Sequence, residues 1–142
     1  MSDPTPAEKP PQRILAVWKG EQEFDTGKIG GVTSRIDGHG KTGQGPVDTL
    51  LSALGTCSAM DVVGILKKQR TPATSLEVEV VGTREDASPR RLKHALMIFR
   101  ISGPGIEREQ ALKAIELSVT KYCSVRDSLD PKIPVEWELE LK

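Results

Sequence analysis

The chain has 142 residues, enough for a proper hydrophobic core, with 28% charged residues and a formal net charge of zero. No basic block is available to hold phosphates, and aromatic residues make up only 4%, which argues against a nucleic-acid binder and against base-stacking platforms. Two cysteines are too few for a disulfide scaffold.

Residues 1–12 (MSDPTPAEKPPQ) are rich in proline and polar groups and read as a disordered tail, leaving 13–142 as a single domain. Neither an apolar leader segment nor a charge-free span approaching 18 apolar residues is present. The expectation is a soluble, cytoplasmic chain with no membrane partner, whose thiols stay reduced.

Arg13 to Lys19 reads as a first strand, and Glu23 to Arg35 as one or two more, broken by Gly27, Gly30 and Gly31. Asp37 to Gly45 (DGHGKTGQG) holds four glycines in nine positions and is a loop. Pro46 suits the first position of a helix, and Asp48 suits its positive end. That helix runs to about Lys68. Its apolar residues cover nearly the whole circumference, so its own sheet or a partner chain must bury it on most sides.

Leu76, Val78 and Val80 alternate with Glu77 and Glu79, the mark of a strand. Arg91 to Ser102 is another, and the turn Asp86–Ala87–Ser88–Pro89 makes the two a hairpin. Leu112, Ile115, Val119 and Cys123 fall at helical spacing, which places Cys123 on the apolar face of a second helix. The chain closes on a strand in which Val135, Trp137, Leu139 and Leu141 alternate with Glu136, Glu138 and Glu140. Strands, helix, hairpin, helix and strand in that order describe an α+β fold.

Some motifs mislead. Gly38 to Gly43 matches G-x-G-x-x-G, but its last glycine does not open the helix, since Gln44, Gly45 and Pro46 intervene, and the acidic position about 20 residues on falls on Asp61 inside the helix. His39, His94, Cys57 and Cys123 lack the close spacing of zinc ligands, so neither a metal nor a cofactor is expected. Asp61 interrupts the apolar helix one turn after Cys57, where it faces a gap to solvent or pairs with a cation.

Cys57 sits in the middle of the apolar stretch Leu50 to Leu66, ordinarily inert packing. A second thiol on another element and a cationic donor, Arg35, shortly before the helix are nevertheless the parts of a two-cysteine peroxidase.

From Trp18 onward the chain resembles the OsmC/Ohr family, the osmotically inducible and organic-hydroperoxide-resistance proteins. Trp18–Lys19–Gly20, Gly31–Val32–Thr33–Ser34–Arg35–Ile36–Asp37–Gly38, Gly45–Pro46, the helix segment Leu50 to Met60 (LLSALGTCSAM) and Lys121–Tyr122–Cys123–Ser124–Val125 carry the resemblance. It implies an OsmC-like fold with a long buried central helix, in an intertwined homodimer. It also implies an enzyme: Cys57 as the thiolate that attacks a hydroperoxide and is oxidised by it, Cys123 as the resolving thiol, and Arg35 as the activating cation. Leu50, Leu54 and Met60 would line an apolar pocket favouring organic hydroperoxides, with a dithiol or lipoyl-type reductant closing the cycle. Where the family's peroxidases carry an arginine-orienting glutamate, this chain has Val47, followed by Asp48. That leaves open whether Asp48 substitutes, whether Arg35 is held otherwise, or whether the activity differs. The competing reading is a non-catalytic dimer that binds a small apolar ligand, its cysteines structural or redox-regulatory.

Overall fold

A computed structural model describes residues 7–142. Of the expected tail, residues 1–6 lie outside the described residues, and 7–12 are exposed and without regular structure. The chain forms two compact units, the first ending at Thr49 and the second spanning Leu50–Lys142.

The first unit is an antiparallel meander of β1 (Ile14–Gly20), β2 (Glu23–Lys28) and β3 (Thr33–Asp37), in that order. The β1–β2 turn uses Gly20 and Glu21, both at positive φ (116° and 49°), a left-handed conformation that glycine adopts without strain. Apolar side chains on this unit stay largely open: Ile14 is 62%, Trp18 63% and Val32 94% exposed. The glycine-rich loop after β3 folds around Asp37, whose carboxylate accepts N–H bonds from His39, Lys41 and Thr42 at 2.9–3.1 Å. The backbone bonds from Thr42 and His39 outweigh desolvation and lower the Asp37 pKa to about 2. The loop is therefore organised by its own acid, a structural role for the residues that mimic a dinucleotide motif.

The helix α1 (Pro46–Lys68) begins at Pro46, as the sequence predicts. In the second unit β4 (Ser75–Arg84) and β5 (Leu92–Ser102) form the expected hairpin, and β6 (Val135–Leu141) lies parallel to β5. A parallel neighbour needs a crossover. It is supplied by α2 (Arg108–Leu117), a wide π-helical turn over Ser118–Tyr122 and the short α3 (Ser124–Ser128).

One face of α1 packs on this sheet. Leu54, Ser58, Val62 and Leu66 recur at i, i+4 spacing and are fully buried, and Leu54, Val62 and Leu66 share one core cluster with Met97, Phe99, Ile101 and Ile115. Burying side chains of this size stabilises by about 1.5–3 kcal/mol each. Two glycines permit the approach. A Cβ on Gly55 would lie 2.8 Å from Val80 Cγ2, and one on Gly82 would lie 2.7 Å from Leu51 Cδ1. The opposite face is open, with Met60 71% and Val63 45% exposed, so within one chain the helix is buried on one face only. By length and composition α1 could span a bilayer, but its engaged face makes it the core helix of this unit.

Candidate active site

Side chains project from a helix at about 100° intervals, which sets what surrounds Cys57. Leu54 turns into the core and Ser58 toward the turn after α2, Met60 is exposed, and Cys57 lies between them, half-buried. The segment beside Cys57 is the start of α3. Cys57 Sγ lies 3.8 Å from Ser124 Oγ.

Burial pushes the Cys57 thiol up, but hydrogen bonds to the sulfur from the Val125 N–H, the Cys123 thiol, the Ser124 hydroxyl and the Ser124 N–H together outweigh it. The net displacement is below the ordinary thiol value. Donors aimed at the charged form of a group favour that form.

Cys123 is 3% exposed, but it does not ride on the second helix as its spacing predicts. The helix ends at Leu117. The following turn is wide, so that the Cys123 N–H reaches back to Ser118 O at 2.7 Å, and Cys123 itself is extended (φ −72°, ψ 100°) as the cap of α3. The extra residue in the turn breaks the 3.6-residue repeat just before the cysteine. Its sulfur accepts from the Arg126 N–H and the Ser58 hydroxyl, both at 3.4 Å. Burial nevertheless dominates and, helped by the neighbouring Cys57, holds the Cys123 thiol above its ordinary value. The structure therefore brings the two thiols together with opposite tendencies, one toward thiolate and one toward neutral thiol.

Arg35 is placed on β3 directly across from Asp25 on β2. Its Nε donates to Asp25 Oδ1 at 2.7 Å, and Nη1 lies 3.4 Å from both Glu23 Oε1 and Thr42 Oγ1. The hydrogen bond to Asp25 raises the Arg35 pKa and lowers that of Asp25. Asp48, the candidate orienting group, is exposed in the first turn of α1; the carboxylates on Arg35 are those of Asp25 and Glu23. Among the expected pocket residues, Leu50 and Met60 are exposed, whereas Leu54 is fully buried in the core and lines no accessible surface of this chain. Its place on the sheet side of α1 is the reason. His94 bonds Glu136 at 2.8 Å across β5 and β6, and Asp61 borders a hollow of about 450 Å³ with Met60, Gly64, Ile65, Leu117 and Tyr122.

Sequence reasoning missed Asp25, Ser58, Ser118 and the role of Ser124. A serine inside an otherwise apolar helix segment was a usable signal for Ser58, and a serine opening a helix was one for Ser124. Asp25 needed the β2–β3 register.

Residues 38–138 match the family model described as OsmC-like protein. The protein YhfA of Escherichia coli (strain K12) is 33% identical over 107 residues, covering 75% of this chain and 80% of that one. Among solved structures, the OsmC-like protein from Mycoplasma pneumoniae superposes with a TM-score of 0.80 at 18% identity, covering 94% of this chain and 99% of the other. The organic hydroperoxide resistance protein OhrB of Bacillus subtilis superposes at 0.59 and 18% identity, covering 93% and 98%. These last two likenesses bear on the fold, while the family model and YhfA bear on ancestry. This chain belongs to the OsmC-like protein family.

Proposed function

We propose that the chain is a thiol-dependent peroxidase that reduces organic hydroperoxides in the reducing cytoplasm. The observation that carries this reading is the convergence of both thiols at the start of α3, Cys57 Sγ 3.8 Å from Ser124 Oγ and Cys123 Sγ 3.4 Å from the Arg126 N, with hydrogen bonds drawing the Cys57 thiol down and burial holding the Cys123 thiol up. The Cys57 thiolate attacks the outer peroxide oxygen; the O–O bond breaks, the alcohol leaves with a proton from solvent, and Cys57 becomes a sulfenic acid. The Cys123 thiol then attacks that sulfur, and its proton leaves with the hydroxyl as water. The product is an intramolecular disulfide, which a dithiol or lipoyl-type reductant reopens with two electrons and two protons. The family resemblance supplies the role of Arg35 as activator, and its fixed charge and forked donors suit a thiolate or a peroxide oxygen.

The exposed apolar residues of β1 and of the open face of α1 support a homodimer as the working form. Light scattering at micromolar concentration is expected to return twice the chain mass, and a folded monomer would contradict it. The hollow beside Met60, Ile65, Leu117 and Tyr122, whose lining also includes Asp61, Lys68 and Gln69, favours the second reading, a binding module for a small, largely apolar ligand. Counting free thiols after one equivalent of cumene hydroperoxide separates the two. Loss of both Cys57 and Cys123 supports the peroxidase; two unreacted thiols support the binding module.

A further inference from the structure

The resolving cysteine is held by a closed circuit of buried groups that the reaction itself does not use. Ser58 follows Cys57 on α1 and is fully buried, and its hydroxyl lies 3.4 Å from Cys123 Sγ and 2.9 Å from Leu54 O. The Cys123 N–H donates to Ser118 O at 2.7 Å, and the Ser118 hydroxyl, also fully buried, donates to Ser58 O at 2.7 Å. Three links therefore tie α1, the wide turn and Cys123 into a ring. The Cys123 N–H bond closes the wide turn, but local backbone needs do not explain the two side-chain links. Ser58 O lies in mid-helix, where the helix supplies its own donor, so Ser118 adds a second bond to a satisfied carbonyl. Ser58 has one hydroxyl proton and two acceptors, the Leu54 carbonyl and the Cys123 sulfur. A proton shared in this way shifts toward whichever acceptor gains negative charge, and only the sulfur can.

We propose that Ser58, steadied by Ser118, is a positioning residue for Cys123, directing its thiol at Cys57 and stabilising the sulfur whenever it carries charge. This rests on the reading of Cys123 as the resolving thiol and concerns only the step that makes or breaks the disulfide. In closing, the Cys57–S–OH sulfur and the Cys123 thiol give the S–S bond and water. In reopening, Cys123 accepts an electron pair as the S–S bond breaks, and the Ser58 hydroxyl turns to it.

The test measures the second step apart from the first. In Ser58→Ala the first oxidation or alkylation of Cys57 should slow by less than closure does, because the donors from Ser124 and Val125 stay in place. Disulfide closure should slow about fivefold, the loss expected of one hydrogen bond of ordinary strength, and its pH profile should move to higher pH, because removing a donor raises the Cys123 pKa. Ser118→Ala, which opens the ring from the other side, should shift closure in the same direction. The equilibrium with glutathione disulfide, in which two protein thiols and one glutathione disulfide give the protein disulfide and two glutathiones, needs no hydroperoxide. Loss of a donor to the reduced sulfur should move it toward the protein disulfide. An inert wild-type protein toward hydroperoxide would sink the peroxidase reading while leaving this equilibrium to judge Ser58. Wild-type closure rates, pH profile and glutathione equilibrium in folded Ser58→Ala would overturn the proposal, as would failure of Cys57 and Cys123 to form a disulfide in the wild-type protein.

Discussion

The middle of α1 and the turn after α2 each present one cysteine, and the two surroundings act on the same functional group in opposite directions. Cys57 is the more open of the pair, yet more donors converge on it: two backbone N–H groups, a hydroxyl and the other thiol. Cys123 is almost wholly buried, accepts from one hydroxyl and one N–H, and is kept neutral by desolvation. The difference teaches that burial alone does not rank thiols for reactivity. The count and aim of donors decide, and a neutral thiol beside a thiolate is itself one of those donors.

Removing either sulfur breaks the comparison most severely. Cys57→Ser should abolish consumption of organic hydroperoxide, a loss of at least about a thousandfold, because no other thiolate is positioned to react. Cys123→Ser should leave the first oxidation intact and stop the cycle at the sulfenic acid, trapped as a 1,3-diketone adduct on Cys57. Absence of the adduct on Cys123→Ser would mean that Cys57 is not oxidised in this way.

The next largest effect concerns Arg35. Arg35→Ala should slow the first step roughly ten- to a hundredfold, the loss expected for a charge-assisted hydrogen bond of about 1.5–3 kcal/mol. Because Asp25 faces Arg35 across the sheet at 2.7 Å, Asp25→Ala should move the rate in the same direction by a smaller factor, and Asp48→Ala should leave it unchanged. A full effect from Asp48→Ala and none from Asp25→Ala would reverse the assignment of the orienting carboxylate. Restoring the family residue, Val47→Glu, should add little where Asp25 already holds the guanidinium. If Arg35→Ala is silent, the donors around α3 activate Cys57 without it.

A smaller change sharpens the picture. Ser124→Ala removes only the hydroxyl at 3.8 Å and leaves the N–H groups in place. A decrease of about two- to threefold in Cys57 reactivity is expected, since a long bond from a neutral hydroxyl is the weakest of the set. A loss as large as that from Arg35→Ala would make the hydroxyl, rather than the backbone, the main stabiliser.

Much of this architecture was legible in the chain. The alternation of Val135, Trp137, Leu139 and Leu141 marked β6, the Asp86–Pro89 segment marked the hairpin, and Pro46 marked the start of α1. Local signals carried all three. What stayed hidden depends on contacts between distant segments. The parallel partnership of β6 with β5 has no local signature, and Asp25 meets Arg35 only through the register of two strands. The helical spacing of Leu112, Ile115, Val119 and Cys123 continued through a turn that is not α-helical, because the period is blind to one extra residue when the cysteine is buried either way. The family resemblance implied a pocket-lining role for Leu54, which the structure buries in the core, since an all-round apolar helix does not announce which side meets the sheet.

The divergence of the two thiols is the central claim, and pH-dependent alkylation of the reduced protein tests it most directly. Labelling with iodoacetamide, read for each cysteine by mass spectrometry, follows the thiolate fraction of each sulfur. Cys57 should reach half-maximal reactivity at a pH below that of an ordinary thiol, and Cys123 at a pH above it, each curve rising with pH as its proton leaves. Coincident curves, or a Cys123 that reacts at the lower pH, would contradict the account.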